Sequence, residues 1–162
     1  MMLTFDTESR TTEADHLAIR LWLRMLACTN LVERRVGAQL REAHATTLPR
    51  FDFLSQLERS PGGLRMSEIS RRMMVTAGNI TRLADQLVAE GLITRTPATD
   101  DRRAANIQLT ARGRRMFDQM AREHEGWIVA MFEGLDEGER RTLFELLGRL
   151  KRHLNAGEER PR

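Results

Sequence analysis

At 162 residues the chain has room for one ordinary domain, or one domain with an appendage for self-association, and its 41% of hydrophobic residues can bury a real core. Its 26 Lys and Arg against 23 Asp and Glu leave a net charge of only +3, which fits a local basic surface better than a wholly basic nucleic-acid coat. The single cysteine, Cys28, excludes an intramolecular disulfide framework and a cysteine-built zinc site, and a reducing cytoplasm is the simplest compartment.

Residues 1–14 are polar and without periodicity, and are expected to form a flexible arm. The start, Met1 to Asp6, lacks the basic region and apolar core of a signal peptide, and no run approaches the length needed to span a membrane. From His16 to about His44, with Asp15 as candidate cap, the stripe Leu17, Leu21, Met25, Val32, Val36 and Leu40 predicts a helix of roughly 45 Å at 1.5 Å per residue. That is too long for burial within one small domain, so part of its face must meet another long helix or another chain.

Thr46 to Pro49 mark the next helix start, with proline accepted in the first turn. Phe51, Leu54 and Leu57 form its inward face, Ser60 to Gly63 end it, and Leu64 to Met66 can add a small strand. Ser67 is placed to cap a short helix in which Ile69 and Met73 face inward. Only Met74 and Val75 separate it from Thr76, which caps a second helix predicted over Ala77 to Glu90 and stopped by Gly91. Ile80, Leu83, Ala84 and Leu87 give that helix one apolar face.

Two helices joined by so tight a turn read as a helix-turn-helix. The outer face of the second, near its start, offers Gly78, Asn79, Thr81 and Arg82. Asn pairs bidentately with adenine and Arg with guanine, while hydroxyls such as Ser67 and Thr76 suit phosphate oxygens, so this end can grip and read a duplex. Two solvated helices of an all-helical domain are the plainer reading of the same segment.

Leu92 to Thr94 and Ile107 to Leu109 predict two short strands around a polar, proline-containing tip that includes Asp101, Arg102 and Arg103. A hairpin behind a helix-turn-helix makes a winged helix. Arg103 is the candidate for a narrow minor groove, Arg102 adds to the basic tip, and Asp101 is suited to fixing the loop by pairing with an arginine.

At this point the chain resembles a known family. Asp101-Arg102-Arg103, five residues, then Leu109-Thr110-Ala111-Arg112-Gly113 is similar to the wing signature of MarR-type transcriptional regulators, and Ala89-Glu90-Gly91-Leu92-Ile93 is similar to the end of their recognition helix. The resemblance runs from about His16 to Leu154 and implies a mainly α fold with a small β-hairpin. It would comprise a winged helix-turn-helix over 46–110, dimerisation helices over 15–45 and 111–155, and a flexible tail over 156–162. It places Asn79 and Arg82 in the major groove, Arg103 in the minor groove and Asp101 in support of the wing. Its implied partners are a second copy of the chain, a pseudo-palindromic double-stranded operator and a small effector, with no membrane.

In such proteins the effector sits between the dimerisation helices and the DNA-binding domain. Arg20, Trp22, Met25, Cys28, Thr29, Arg50 and Phe51 fall at the corresponding positions, with Arg20 or Arg50 available for an anion. Leu48-Pro49-Arg50-Phe51-Asp52 and Ser70 to Thr76 resemble members that govern aromatic-acid catabolism, which suggests a phenolic acid or its coenzyme A thioester. Some relatives sense peroxide through a cysteine near the first helix. That branch relies on tyrosines and this chain has none, so Cys28 is expected to be a buried helical residue.

Thr110 can cap the following helix through Met116, Met120, Trp127, Ile128 and Met131, and Gly134 with Leu135 ends it. Asp136 and Glu139 are spaced as a capping box for the last helix, where Leu143, Phe144, Leu146, Leu147, Leu150 and Leu154 repeat at helical spacing. The two terminal helices carry more apolar surface than the central domain needs, and a two-fold dimer is the economical solution.

No enzyme or cofactor is indicated. The four histidines are far apart in sequence, no metal-binding interval occurs, and neither a nucleophile elbow nor a phosphate loop is present. A repressor released by a small ligand is the favoured reading. A helical scaffold with a basic wing, or a Cys28-based redox sensor, is the alternative.

Overall fold

The computed structural model describes residues 16–98 and 105–158. Among them the elements run α1 (Leu17–His44), α2 (Leu48–Glu58), β1 (Leu64–Arg65), α3 (Met66–Met73), α4 (Ala77–Ala89), β2 (Ile93–Pro97), β3 (Ala105–Leu109), α5 (Ala111–Met131) and α6 (Glu137–Glu158). The expected class, mainly helix with a small antiparallel sheet, is what the chain adopts. Two compact units divide within α5, between Glu125 and Gly126. Asp15 and the arm before it lie outside the described residues.

In the first unit α1 buries only its C-terminal part, through Val36, Gly37 and Leu40, before Ala45 turns the chain in a left-handed conformation (φ 49°). Thr47, in extended conformation, leads into α2 with Pro49 in its first turn. The inward face of α2 contains the expected Phe51, Leu54 and Leu57 and also Phe53, which is wholly buried. Each such side chain contributes roughly 1.5–3 kcal/mol by leaving water.

α3 begins earlier than its candidate cap. Arg65 is the N-cap residue, and its amide donates to the Glu68 carboxylate at 2.9 Å, so Ser67 lies inside the first turn. The reason is that β1 leads straight into the helix, and the acidic residue at the third helical position takes the amide that a capping hydroxyl would leave unserved. Met74 then closes α3 in a left-handed conformation (φ 55°). The Ser70 hydroxyl donates to the Val75 carbonyl at 2.6 Å across the bend.

α4 follows expectation closely: Thr76 caps it, Ile80, Ala84 and Leu87 are buried, and Gly91 (φ 70°) takes the left-handed turn after it. The strands order β1-β3-β2, both pairings antiparallel, with Leu64 opposite Ile107, Ile93 opposite Leu109 and Pro97 opposite Ala105. β2 and β3 are longer than the apolar pattern predicts, because Thr94, Arg95, Thr96 and Pro97 are exposed and show no alternation. Ile93 and Ile107 anchor the ribbon in the core beside Leu92.

Thr110 joins three pieces of chain. Its hydroxyl donates to the Gly91 carbonyl at 2.7 Å and accepts from the Gly113 amide at 2.9 Å, capping α5 on the turn that ends α4. Gly113 is required there, since a Cβ would run into the Leu92 carbonyl.

In the second unit the capping box of α6 forms as spaced: Asp136 accepts from the Glu139 amide and Glu139 from the Asp136 amide, both at 2.9 Å. α6 extends to Glu158, so Ala156 and Gly157, expected in the tail, are helical. No residue before Pro161 forces the helix to stop.

Candidate nucleic-acid interface

α4 presents its start outward. Thr76 accepts from the Asn79 amide at 3.5 Å, and Gly78, Asn79, Thr81 and Arg82 are all exposed. The buried face at Ile80, Ala84 and Leu87 fixes this orientation, since residues three and four apart share a side of the helix. Arg82 has no carboxylate partner among the described residues, whereas Asp85 on the same helix is occupied by Arg95 of β2 at 2.8 Å. Thr81 donates its hydroxyl to the Ala77 carbonyl at 2.9 Å, which leaves it able to accept but not to donate. Ser67 is exposed one turn into α3. Asp101, Arg102 and Arg103 lie outside the described residues; Pro97 opposite Ala105 is the last described pair below them.

The other end of α4 is held from α2. Arg50 forms a two-pronged ion pair with Glu90, Nη1 to Oε1 at 2.8 Å and Nη2 to Oε2. The hydrogen bond from Arg50 holds the Glu90 carboxyl below its ordinary value despite some burial. The Arg50 side chain is only 17% exposed, and its Nε is buried without a partner among the described residues. Arg50, which the sequence offered as a cation for an anionic effector, is thus paired with the end of α4. The groove it lines is shared with Thr47, Met73, Asn79, Arg82 and Gln86.

The remaining effector candidates divide. Phe51 is buried and stacks on Phe117 (ring centroids 5.4 Å apart) and on His124 (4.6 Å), whose imidazole burial pushes below its usual pKa. His44 meets the Glu123 carboxylate at 3.1 Å, a contact between α1 and α5 that no sequence spacing announced. On α1, Met25 is half-buried, while Arg20, Trp22, Cys28 and Thr29 are exposed. The expectation of a buried Cys28 is thus corrected: it faces outward on the half of α1 that the first unit leaves uncovered. Asp52, beside these groups in sequence, is pushed above its ordinary value by burial and by Glu33, with Arg59 opposing.

Among the described residues no three His, Cys, Asp or Glu side chains gather as a metal site, and no helix is long and apolar enough to cross a membrane.

A family model described as "MarR family" matches residues 46–104, the stretch from the start of α2 to the wing. The chain is similar to the HTH-type transcriptional regulator PecS of Dickeya dadantii, 33% identical over 106 residues that make up 64% of each chain. Over 92 residues it is 32% identical to the HTH-type transcriptional repressor YetL of Bacillus subtilis, covering 57% of this chain and 55% of YetL. These aligned stretches span less than two thirds of either regulator. In fold it is similar to BldR of Sulfolobus solfataricus (TM-score 0.77, 19% identity, 90% of this chain and 99% of that one). It is likewise similar to a mutant MarR from E. coli complexed with operator DNA (TM-score 0.74, 21% identity, 86% and 99%).

Proposed function

Residues 46–104 belong to the MarR family of winged helix-turn-helix proteins, and from that premise we propose that the chain is a sequence-specific DNA-binding transcriptional regulator. The observation that carries the reading is the outward start of α4, where Asn79 and Arg82 stand exposed on a helix whose opposite face and far end are fixed by the core and by Arg50. A side chain reads a base edge only if its helix is held still. The fold shared with a DNA-complexed MarR supports the same docking: α4 in the major groove and the wing, with Arg102 and Arg103, against the neighbouring backbone and minor groove.

The regulator acts as a homodimer on a pseudo-palindromic site. Supporting this, Leu17, Leu21, Trp22 and Leu26 on α1 and Phe144, Leu146 and Leu154 on α6 are 40–78% exposed in the single chain. An apolar load of this kind calls for a partner surface. The dimer is a repressor released by a small aromatic acid or its coenzyme A thioester. The exposed Trp22 supplies apolar aromatic surface for such a ligand.

Selection of sites from random duplex DNA tests the reading. The expected result is a pseudo-palindrome bound far more tightly than unrelated DNA at physiological salt; no enriched sequence would favour a helical interaction module instead. Calorimetry against a panel of phenolic acids and their thioesters tests the effector class, and an absence of heat across the panel would remove it. The exposure of Cys28 favours a second reading, control by oxidation. Release from DNA by peroxide in the native chain but not in Cys28→Ser would establish it, and equal behaviour of the two would discard it.

A further inference from the structure

Glu90 is a poor residue for the helix it ends. It is the C-cap of α4, where the helix dipole is already negative, and a carboxylate there is repelled. What offsets the repulsion comes from another element. Arg50 of α2 grips both carboxylate oxygens, Nη1 on Oε1 at 2.8 Å and Nη2 on Oε2. Two parallel bonds from a planar fork fix direction as well as distance. The broad contacts of α4 are with α3 and β2. Toward α2 it borders instead a groove of about 450 Å³, lined among others by Thr47, Arg50, Met73 and Gln86. α2 is anchored in turn by Phe51, whose ring stacks on Phe117 and His124 of α5. Adjacent helical positions point roughly 100° apart, so residues 50 and 51 engage two different elements.

Resting on the DNA-binding reading above, we propose that Arg50 is a positioning residue for sequence readout: through Glu90 it sets the tilt of α4, and so where the start of that helix meets the bases, without touching DNA itself. Glu90 lies about 16 Å along the helix axis from Asn79, at 1.5 Å per residue. With its charge matched by Glu90 and its side chain only 17% exposed, Arg50 is a poor phosphate ligand. Its effect is on geometry. Side chains that recognise a partner must be held to within about 0.5 Å of the productive arrangement. A change of tilt therefore costs discrimination between sequences before it costs the charge-driven affinity that any duplex receives.

The experiment uses the full chain, the duplex recovered by site selection and an unrelated duplex, with affinity followed across a salt series and the thermal midpoint measured alongside. Arg50→Lys keeps the charge and loses the fork. It should weaken binding to the selected site several-fold, while affinity for unrelated DNA and the slope of log affinity against log salt stay native. Glu90→Gln keeps the shape without the carboxylate and should show the same loss of discrimination. A lowered thermal midpoint with native discrimination in both variants would make the pair merely structural and overturn the proposal. A slope lowered by about 0.9 in Arg50→Ala, the signature of one lost phosphate contact, would place Arg50 on the duplex and overturn it equally. Native behaviour of all the variants, with a wild type that binds its site tightly, would also sink it and leave the DNA-binding reading standing. A wild type without DNA preference would remove both.

Discussion

α4 and α6 carry the same kind of sequence signal and meet opposite fates. In α4, Ile80, Ala84 and Leu87 recur at helical spacing and are buried to within 1% in a helix that packs on α3 and the sheet of its own chain. In α6, Leu143, Phe144, Leu146, Leu147 and Leu154 repeat just as regularly and are 38–78% exposed. Periodicity identifies an apolar face; it does not say what covers it. The first face is covered within the single chain; the second is left exposed by it.

The sharpest way to break that contrast is one chemical change made in both settings. Phe53→Ala, at a wholly buried position, should cost about 3–5 kcal/mol and lower the thermal midpoint at every protein concentration. Phe144→Ala, at a position 78% exposed, should leave the unfolding of the winged helix nearly untouched and weaken self-association in sedimentation. Equal losses of stability at the two sites would refute the distinction.

A smaller effect tests the junction beside the core. Gly113→Ala forces a methyl against the Leu92 carbonyl and should cost about 1–3 kcal/mol in denaturant unfolding. The exposed face has its counterpart in Gly126→Ala, where nothing lies near the added methyl and helix propensity should make the change neutral or mildly stabilising. Thr76→Ala removes the cap of α4 and should cost about 1 kcal/mol, with a further loss in DNA affinity because the frayed turn carries Asn79.

The smallest expected effects are titrations. Glu90 is held below its ordinary value by Arg50, so its contribution is complete above the ordinary carboxylate range and fades as pH falls through the depressed value. His124 is also depressed, here by burial, and the unfolded chain binds its proton first. Stability therefore falls as pH drops below the ordinary histidine value of 6.5, and the loss is complete once pH passes the lowered folded value. Denaturant midpoints between pH 7.5 and 5 should show this slope in the native chain and a flatter one in His124→Phe.

What was legible in the sequence was local. The Thr76 cap, the left-handed Gly91 and the Asp136–Glu139 box depend on residues within one helical turn, and all three form. The Ser67 cap was misplaced because a serine at the right spacing competes with a strand that enters the helix directly, and the Glu68 carboxylate decides between them. Arg50–Glu90 joins residues 40 apart and His44–Glu123 joins residues 79 apart, so neither has a spacing to recognise. Arg50 accordingly looked like a free cation until its partner was placed beside it. Exposure at Cys28 and Met74 was equally hidden, since both residue types are ordinarily found inside.

The Thr110 hydroxyl carries a mechanical consequence. By bonding both the turn that ends α4 and the first turn of α5, it ties those two helices together, and the Arg95–Asp85 pair adds the β2–β3 ribbon to the same assembly. A displacement of the start of α5 is expected to carry the end of α4 and the β2–β3 ribbon with it as one piece.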